Sequence, residues 1–400
     1  MSPASDSPTP AMVRLGSDRL LRDSSSLIAG KRVGILTNHT GRLSDGRSIV
    51  DAIAASGFCT LHSLYGPEHG IAGNAPDGKD VEHASHPRYG VPVYSLYGET
   101  HKPTVEMLQG VDVLVCDLQD IGARFYTFIS TVALAMEAAA EQFITFVILD
   151  RPNPIRGLTF DGPIRASWLR SFVGWMPIPI TYGMTIGELA RLWNGEGWFA
   201  NGVKAHLEVV AMQGWQRRMW FDETGLTWTA PSPNMPTLET AIIYPGLCLV
   251  EGTSISEGRG TSQPFQIVGA PWADPEKILK HLSAFDTAGV IFSEASFVPK
   301  EIPGIANQPR YENSACRGVR ISVVDRSVVQ PVRLGVCVLA AFKRAHPAER
   351  IFLNQKFDML AGNQNVRQML ERGVHPGEVC EGWAEELKSF GQIRSKYLLY

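Results

Sequence analysis

A chain of 400 residues with 44% apolar and 19% charged positions is ordinary globular material, long enough for two substructures. Its net charge of −3 gives no electrostatic reason to expect nucleic acid or an anionic membrane as a partner. No apolar run reaches the ~18 residues of a membrane span, and the opening MSPASDSPTPAMVRLG lacks the apolar stretch of a secretory signal. Residues 1–25 are therefore expected to form a disordered lead, and the protein is expected in the cytoplasm. The six cysteines (Cys59, Cys116, Cys248, Cys316, Cys337, Cys380) show no CxxC pairing. Most sit in apolar runs such as DVLVCDL and LGVCVLA, as buried free thiols of a reducing compartment would.

The first third alternates strand and helix patterns. RVGILT at 32–37 is a β-branched run, followed by an amphipathic stretch over 45–55. TLHSLYG, VPVYSLYG, DVLVCDL and TFVILD are further strand candidates, with an Ala-rich helix over 126–142. Such alternation implies right-handed crossovers and a mainly parallel, Rossmann-like sheet. The middle of the chain is less regular. It holds a helix over 185–193 opened by Thr185 with Glu188 three residues on, a strand at LEVVAM, and two long polar loops around 228–236 and 251–261. After Pro271 the pattern becomes α+β: a helix over 274–285, the strand GVRISVVD, a helix over 331–344 and two more helical stretches. The fold expected is α/β, with a Rossmann-like unit over 26–270 and a smaller α+β unit over 271–400.

The loops after the strands carry the chemistry. RVGILT leads into Asn38 and His39, TLHSLYG into Pro67, Glu68 and His69, DVLVCDL into Asp120, Arg124 and Tyr126, and TFVILD into Arg151 and Asn153. Ligands of open parallel sheets bind outside the carboxyl ends of the strands. Polar loops there are ordinary, but recurring His, Glu, Asp, Arg and Asn point to a site. There is no GxxxxGK[ST] loop, no GxGxxG after the first strand, no HExxH and no GxSxG, so no nucleotide cofactor is expected.

Glu68 in YGPEHG lies in a tight Pro/Gly turn that would fix a carboxylate, as a general acid requires. The bland reading is a carboxylate capping the next turn. Asp117 and Asp120, with Arg124 close behind, read equally as a structural ion pair or as catalytic groups. Glu251, Glu257 and Arg259 share one Gly-rich loop. His39, His62, His69, His83 and His86 cluster in sequence without ligand spacing, which leaves a metal-dependent hydrolase or deacetylase as a rival reading. A non-catalytic sugar-binding protein is the third.

Seven segments in order, TNHTG, YGPEHG, VPVYSLYG, DLQDIGARFYTF, LDRPNP, PSPNMP and EGTSISEGRGTSQPF, resemble the exo-β-N-acetylmuramidases of bacterial peptidoglycan turnover. The resemblance extends from about Arg32 to the final KYLLY. It implies a glycoside hydrolase that removes terminal N-acetylmuramic acid from the non-reducing end of cell-wall fragments, with its site between a Rossmann-like part and a smaller part. By motif, Glu68 becomes the acid/base, with Glu257 or Asp120 as second carboxyl. The lactyl carboxylate of muramic acid calls for an arginine fork, from Arg124 or Arg259. Trp228, Tyr126 and Phe125 are stacking candidates. Asn38, His39, His69, Asp117, Arg151, Asn153, Asn234 and Glu251 complete the expected substrate-binding set. No metal and no cofactor is expected.

Overall fold

The computed structural model describes residues 12–75, 78 and 82–400. Seven strands form the larger sheet: β1 Arg32–Thr37, β2 Thr60–Gly66, β3 Ala84–Ser85, β4 Pro92–Ser95, β5 Val113–Asp117, β6 Thr145–Leu149 and β7 Leu207–Val210. Their order is β3-β4-β2-β1-β5-β6-β7, parallel except for β3 against β4. Successive residues of β5 divide between two cores. Val113 and Val115 face α1 (Gly16–Asp23) and α2 (Ile49–Ala55), while Leu114 and Cys116 face α4 (Phe128–Glu141) and α5 (Ile186–Gly195). A strand covered on both faces must be apolar at both parities, which is why these segments read as unbroken hydrophobic runs. The short helix between them, α3, spans Val105–Leu108.

The second unit is built on a three-stranded antiparallel sheet, β8 (Ile267–Ala270), β9 (Val290–Phe297) and β10 (Cys316–Val323), in the order β8-β10-β9. Around it lie α6 (Leu238–Leu247), α7 (Pro275–Leu282), α8 (Pro331–Ala345) and α9 (Asn354–Ala361), followed by α10 (Gln364–Glu371), α11 (Pro376–Glu381) and α12 (Ala384–Arg394). Helices α6 and α8 cross backbone to backbone. A Cβ on Gly246 would come within 1.8 Å of the Pro331 carbonyl oxygen, and one on Gly335 within 2.2 Å of the Gly246 carbonyl oxygen. Only glycine permits that approach.

Three expectations need correction. The lead expected through residue 25 contains α1, because Val13, Leu15 and Leu20 are buried and Asp18 accepts from the Leu15 amide at 2.8 Å and the Ser44 amide at 2.9 Å. Residues 1–11 of that lead lie outside the described residues. The boundary expected at 270 falls at the end of β8, which pairs with β10, and α6 packs on α8, so the second unit begins near residue 238. Pro245 inside α6 disguises that helix in the sequence. The two helical stretches expected after α8 are four helices. All six cysteines are free, and four of them are buried. Among the described residues, no helix is long and apolar enough to cross a membrane.

Residues 394–400 return to the first unit. The Arg394 guanidinium donates to the carbonyls of Gly157 (2.5 Å) and Gly183 (2.6 Å), the Leu399 amide to Glu188 (2.7 Å), and the Tyr400 hydroxyl to Asp150 (2.7 Å). Asp150 also accepts from the Thr185 hydroxyl and the Gly187 amide at the start of α5. It thus joins β6, α5 and Tyr400.

Candidate active site

A cleft of about 670 Å³ opens where the carboxyl ends of β2 and β5 face the second unit. The chain enters it first at Glu68. The turn after β2 closes with the Gly70 amide donating to the Pro67 carbonyl at 2.9 Å. His69 sits at φ 70°, held by an Nδ1 contact of 2.7 Å to the Ala75 carbonyl. Left-handed backbone at a non-glycine residue is costly, and here the turn and that contact hold it in place. Both oxygens of Glu68 are engaged: the Thr127 hydroxyl donates to one at 2.5 Å and the Gly78 amide to the other at 3.0 Å. Thr127 directly precedes α4, so the helix after β5 fixes the carboxylate that follows β2.

The opposite wall comes from the second unit. Glu251 and Glu257 flank Arg259, whose guanidinium lies 2.9 Å from Glu251 and 3.4 Å from Glu257 and stacks 5.1 Å from the Phe265 ring centroid. Gly258 and Gly260 make the loop possible: a Cβ on the first would meet the Ile267 carbonyl oxygen at 2.6 Å, and on the second the Lys300 carbonyl oxygen at 2.4 Å. The glycines of GRG therefore serve close packing. Burial, reinforced by the Glu251 charge, raises the proton affinity of Glu257, with Arg259 opposing. Burial pushes the Glu251 carboxyl up too, but the charge and hydrogen bond of Arg259 more than offset it and hold it below its ordinary value. Edge-packed aromatic rings line the floor: Tyr126 against Phe128 (4.8 Å), Phe125 against Tyr244 (5.4 Å) and Tyr244 against Phe265 (4.7 Å). His101 stacks on Phe172 at 4.0 Å, beside Tyr97, to form a further aromatic wall.

Of the expected site residues, Glu68, His69, Phe125, Tyr126, Asn234, Glu251, Glu257 and Arg259 line this cleft, and the others do not. Asn38 bends back to accept from the Thr40 amide (2.9 Å) and hydroxyl (2.6 Å). His39 lies behind the Glu68 turn, its Nε2 2.8 Å from the Ala230 carbonyl. Asp117 and Arg151 form a buried two-point ion pair (2.5 and 3.0 Å), and Arg151 also donates to the Arg42 carbonyl. That pair stands at the switch point between β1 and β5, where a doubly wound sheet ordinarily receives its ligand.

Asp120 is buried in its own turn, accepting from the Gly122 amide (2.9 Å) and the Tyr182 hydroxyl. Burial raises its carboxyl to about 6 against those bonds. Arg124 spends its guanidinium on the carbonyls of Pro163, Ile178, Leu360 and Ala361. Asn153 bonds to the Met184 carbonyl and the Ile155 amide, and the Trp228 indole to the Pro236 carbonyl. For each of these the polar side chain answers an internal backbone or ionic demand. Of the histidines that cluster in sequence, His39 and His69 are near enough for one charge to act on the other, but the rest are engaged elsewhere. His83 accepts from the Ser95 amide, His86 stacks on Tyr89, and among the described residues no three His, Cys, Asp or Glu side chains are grouped to hold a metal. The residues that sequence reasoning misses include Thr127 and Tyr97, which stand inside quoted motifs, and Arg310 and Lys356, which stand in none.

Carboxyl groups brought from two units to one aromatic-lined cleft are the working parts of a glycoside hydrolase. The comparison with known families agrees. The model described as exo-beta-N-acetylmuramidase NamZ, N-terminal, matches residues 33–239, and its C-terminal counterpart matches 242–400. The chain belongs to the exo-β-N-acetylmuramidase family and is a glycoside hydrolase. The peptidoglycan beta-N-acetylmuramidase NamZ of Bacillus subtilis is 43% identical over 389 residues, covering 97% of this chain and 91% of that protein. Crystal structures of two DUF1343-family proteins of Bacteroides fragilis superpose with TM-scores of 0.89 and 0.77, at 35% and 31% identity. Each alignment covers 97% of this chain and 99% of the other. The family models divide the chain where α6 begins, in agreement with the packing.

Proposed function

We propose that this enzyme releases terminal N-acetylmuramic acid from the non-reducing end of peptidoglycan fragments, with Glu68 as acid/base and Glu257 as the second carboxyl. The observation that carries the assignment is the shared cleft, in which Glu68 is held by Thr127 and Gly78 on one side and Glu257 by the Arg259 loop on the other. Glu68 delivers its proton to the glycosidic oxygen as the bond to the anomeric carbon breaks. Glu257, ionised, faces the positive charge that develops on the sugar ring, and a water completes the hydrolysis by giving its hydroxyl to the anomeric carbon and its proton to a carboxylate. Tyr126 and its aromatic neighbours offer an apolar surface to the sugar face. Incubation with a defined disaccharide bearing N-acetylmuramic acid at its non-reducing end should yield the two free sugars by mass spectrometry. Binding without release would leave only a sugar-binding protein.

Arg259 supports the ionised form of Glu257, so its removal has a signed consequence. In Arg259→Met the charge opposing burial is gone, and the Glu257 carboxyl rises further. Activity that needs Glu257 ionised is then lost at a higher pH on acidification. The acid limb of the kcat/KM profile should move upward, and an unmoved limb would exclude Glu257 as the ionised partner.

A further inference from the structure

Muramic acid differs from N-acetylglucosamine by a lactyl carboxylate, and the cleft already carries Glu68, Glu251 and Glu257. An incoming anion needs a cation that those carboxylates have not claimed. The two arginines expected to supply it are committed already: Arg124, which does not line the cleft, to four backbone carbonyls, and Arg259 to Glu251 and Glu257. Arg310 differs. It lines the same cleft, and among the described residues its guanidinium makes no hydrogen bond or ion pair, its Nε being buried without an acceptor. Its charge reaches Glu257 only through space.

The loop that carries Arg310 is built to hold a position. Gln308, Tyr311 and Asn313 all adopt left-handed backbone, at φ 46°, 61° and 58°. Such conformations in non-glycine residues persist only where their surroundings enforce them, and they gather at ligand sites. Here the Tyr311 hydroxyl donates to the Ser254 carbonyl at 2.7 Å, the Asn313 amide to the Pro299 carbonyl at 2.8 Å, and the Asn234 amide group to the Ile305 carbonyl at 2.8 Å. The first and last of these bonds tie the loop to the segments that also bring Glu257 and Asn234 to the cleft. Lys356, exposed on the same lining, adds a second positive charge.

We propose that Arg310 is the carboxylate anchor that sets the preference for muramic acid, an assignment that rests on the glycosidase reading above. The planar fork of its guanidinium meets both lactyl oxygens, and the strained loop holds it in place before substrate arrives. Lys356 contributes long-range attraction from the rim.

Binding and turnover together test this. Calorimetry with free N-acetylmuramic acid and free N-acetylglucosamine reads recognition independently of hydrolysis. Arg310→Ala should weaken N-acetylmuramic acid by roughly 10² to 10³-fold, the usual loss when one side of a buried charged contact is cut. N-acetylglucosamine should change less than about threefold. Arg310→Lys should recover part of the affinity, because it restores charge without the fork. With the chromogenic glycosides of the two sugars, the loss should fall on muramic acid and chiefly on KM. Unaltered muramic acid binding in Arg310→Ala overturns the proposal. So does an equal loss on both sugars with a displaced pH profile, which would make Arg310 a field-setting neighbour of Glu257. A wild-type protein that binds muramic acid through Arg310 and hydrolyses neither glycoside would refute the glycosidase reading and leave the anchor standing.

Discussion

Glu68→Gln should fold normally and lose turnover by on the order of 10² to 10⁴-fold, the contribution of a positioned general acid. Glutamine is nearly isosteric. Its carbonyl oxygen can still accept from the Gly78 amide, and its amino group can donate to the Thr127 hydroxyl oxygen, so the turn after β2 keeps both of its contacts. What it cannot do is give a proton to a leaving glycosidic oxygen. The loss should therefore appear in kcat, with KM and the thermal midpoint close to wild type. The check is steady-state kinetics on a muramic-acid glycoside beside a melting curve. Activity within about tenfold of wild type would take Glu68 out of the acid/base role. An aryl glycoside with a good leaving group should suffer less than a natural disaccharide, because it needs less protonation.

Arg124→Ala should be the most damaging of these substitutions to stability, by about 4 kcal/mol or more, while leaving sugar preference unchanged in whatever protein folds. The guanidinium donates at 2.7–2.8 Å to carbonyls from three parts of the chain: Pro163, Ile178, and the adjacent Leu360 and Ala361 at the end of α9. The side chain is 1% exposed, so no water stands ready to replace it. Removing it strands several acceptors at once and opens a cavity beside them. Lysine would not repair the loss, since a single ammonium cannot reach carbonyls spread around a planar fork. Urea unfolding gives the measure. A destabilisation under about 1 kcal/mol would mean that the carbonyls find other donors.

The fate of Arg124 shows where sequence reasoning stops. Strands β1, β5 and β6 are legible because burial on both faces demands apolar residues at nearly every position, and that demand is written into RVGILT, DVLVCDL and TFVILD. The Glu68 turn is legible because Pro67 restricts the backbone locally and Gly70 permits the positive φ of 71°. Arg124 looks like a ligand-binding arginine because it follows a strand among acidic residues, yet its partners are main-chain carbonyls, which no sequence pattern displays. Asp117 and Arg151 are 34 positions apart and read in sequence as possible ligand contacts. They meet only because β5 and β6 are neighbours in the sheet. Arg310 is hidden for the converse reason. NQPRYEN contains no periodicity or motif, and its place in the same cleft as Glu257 comes from the folding of a loop between β9 and β10. Seven segments resembling one family tell more about the reaction than any residue among them, and the family models and relatives agree with that resemblance.

The return of residues 394–400 to the first unit has a consequence for how the molecule is made. A ribosome delivers the larger sheet first, and at roughly 5–20 residues per second the remaining 160 or so residues follow over on the order of ten seconds. Throughout that interval Asp150 lacks the Tyr400 hydroxyl, and the carbonyls of Gly157 and Gly183 lack Arg394. The emerging sheet therefore waits with buried polar groups unmet, under whatever protection a nascent chain finds, until Arg394 and Tyr400 arrive. Synthesis runs from one end to the other, but the closing of the first unit depends on residues 394–400, which are made after the second unit.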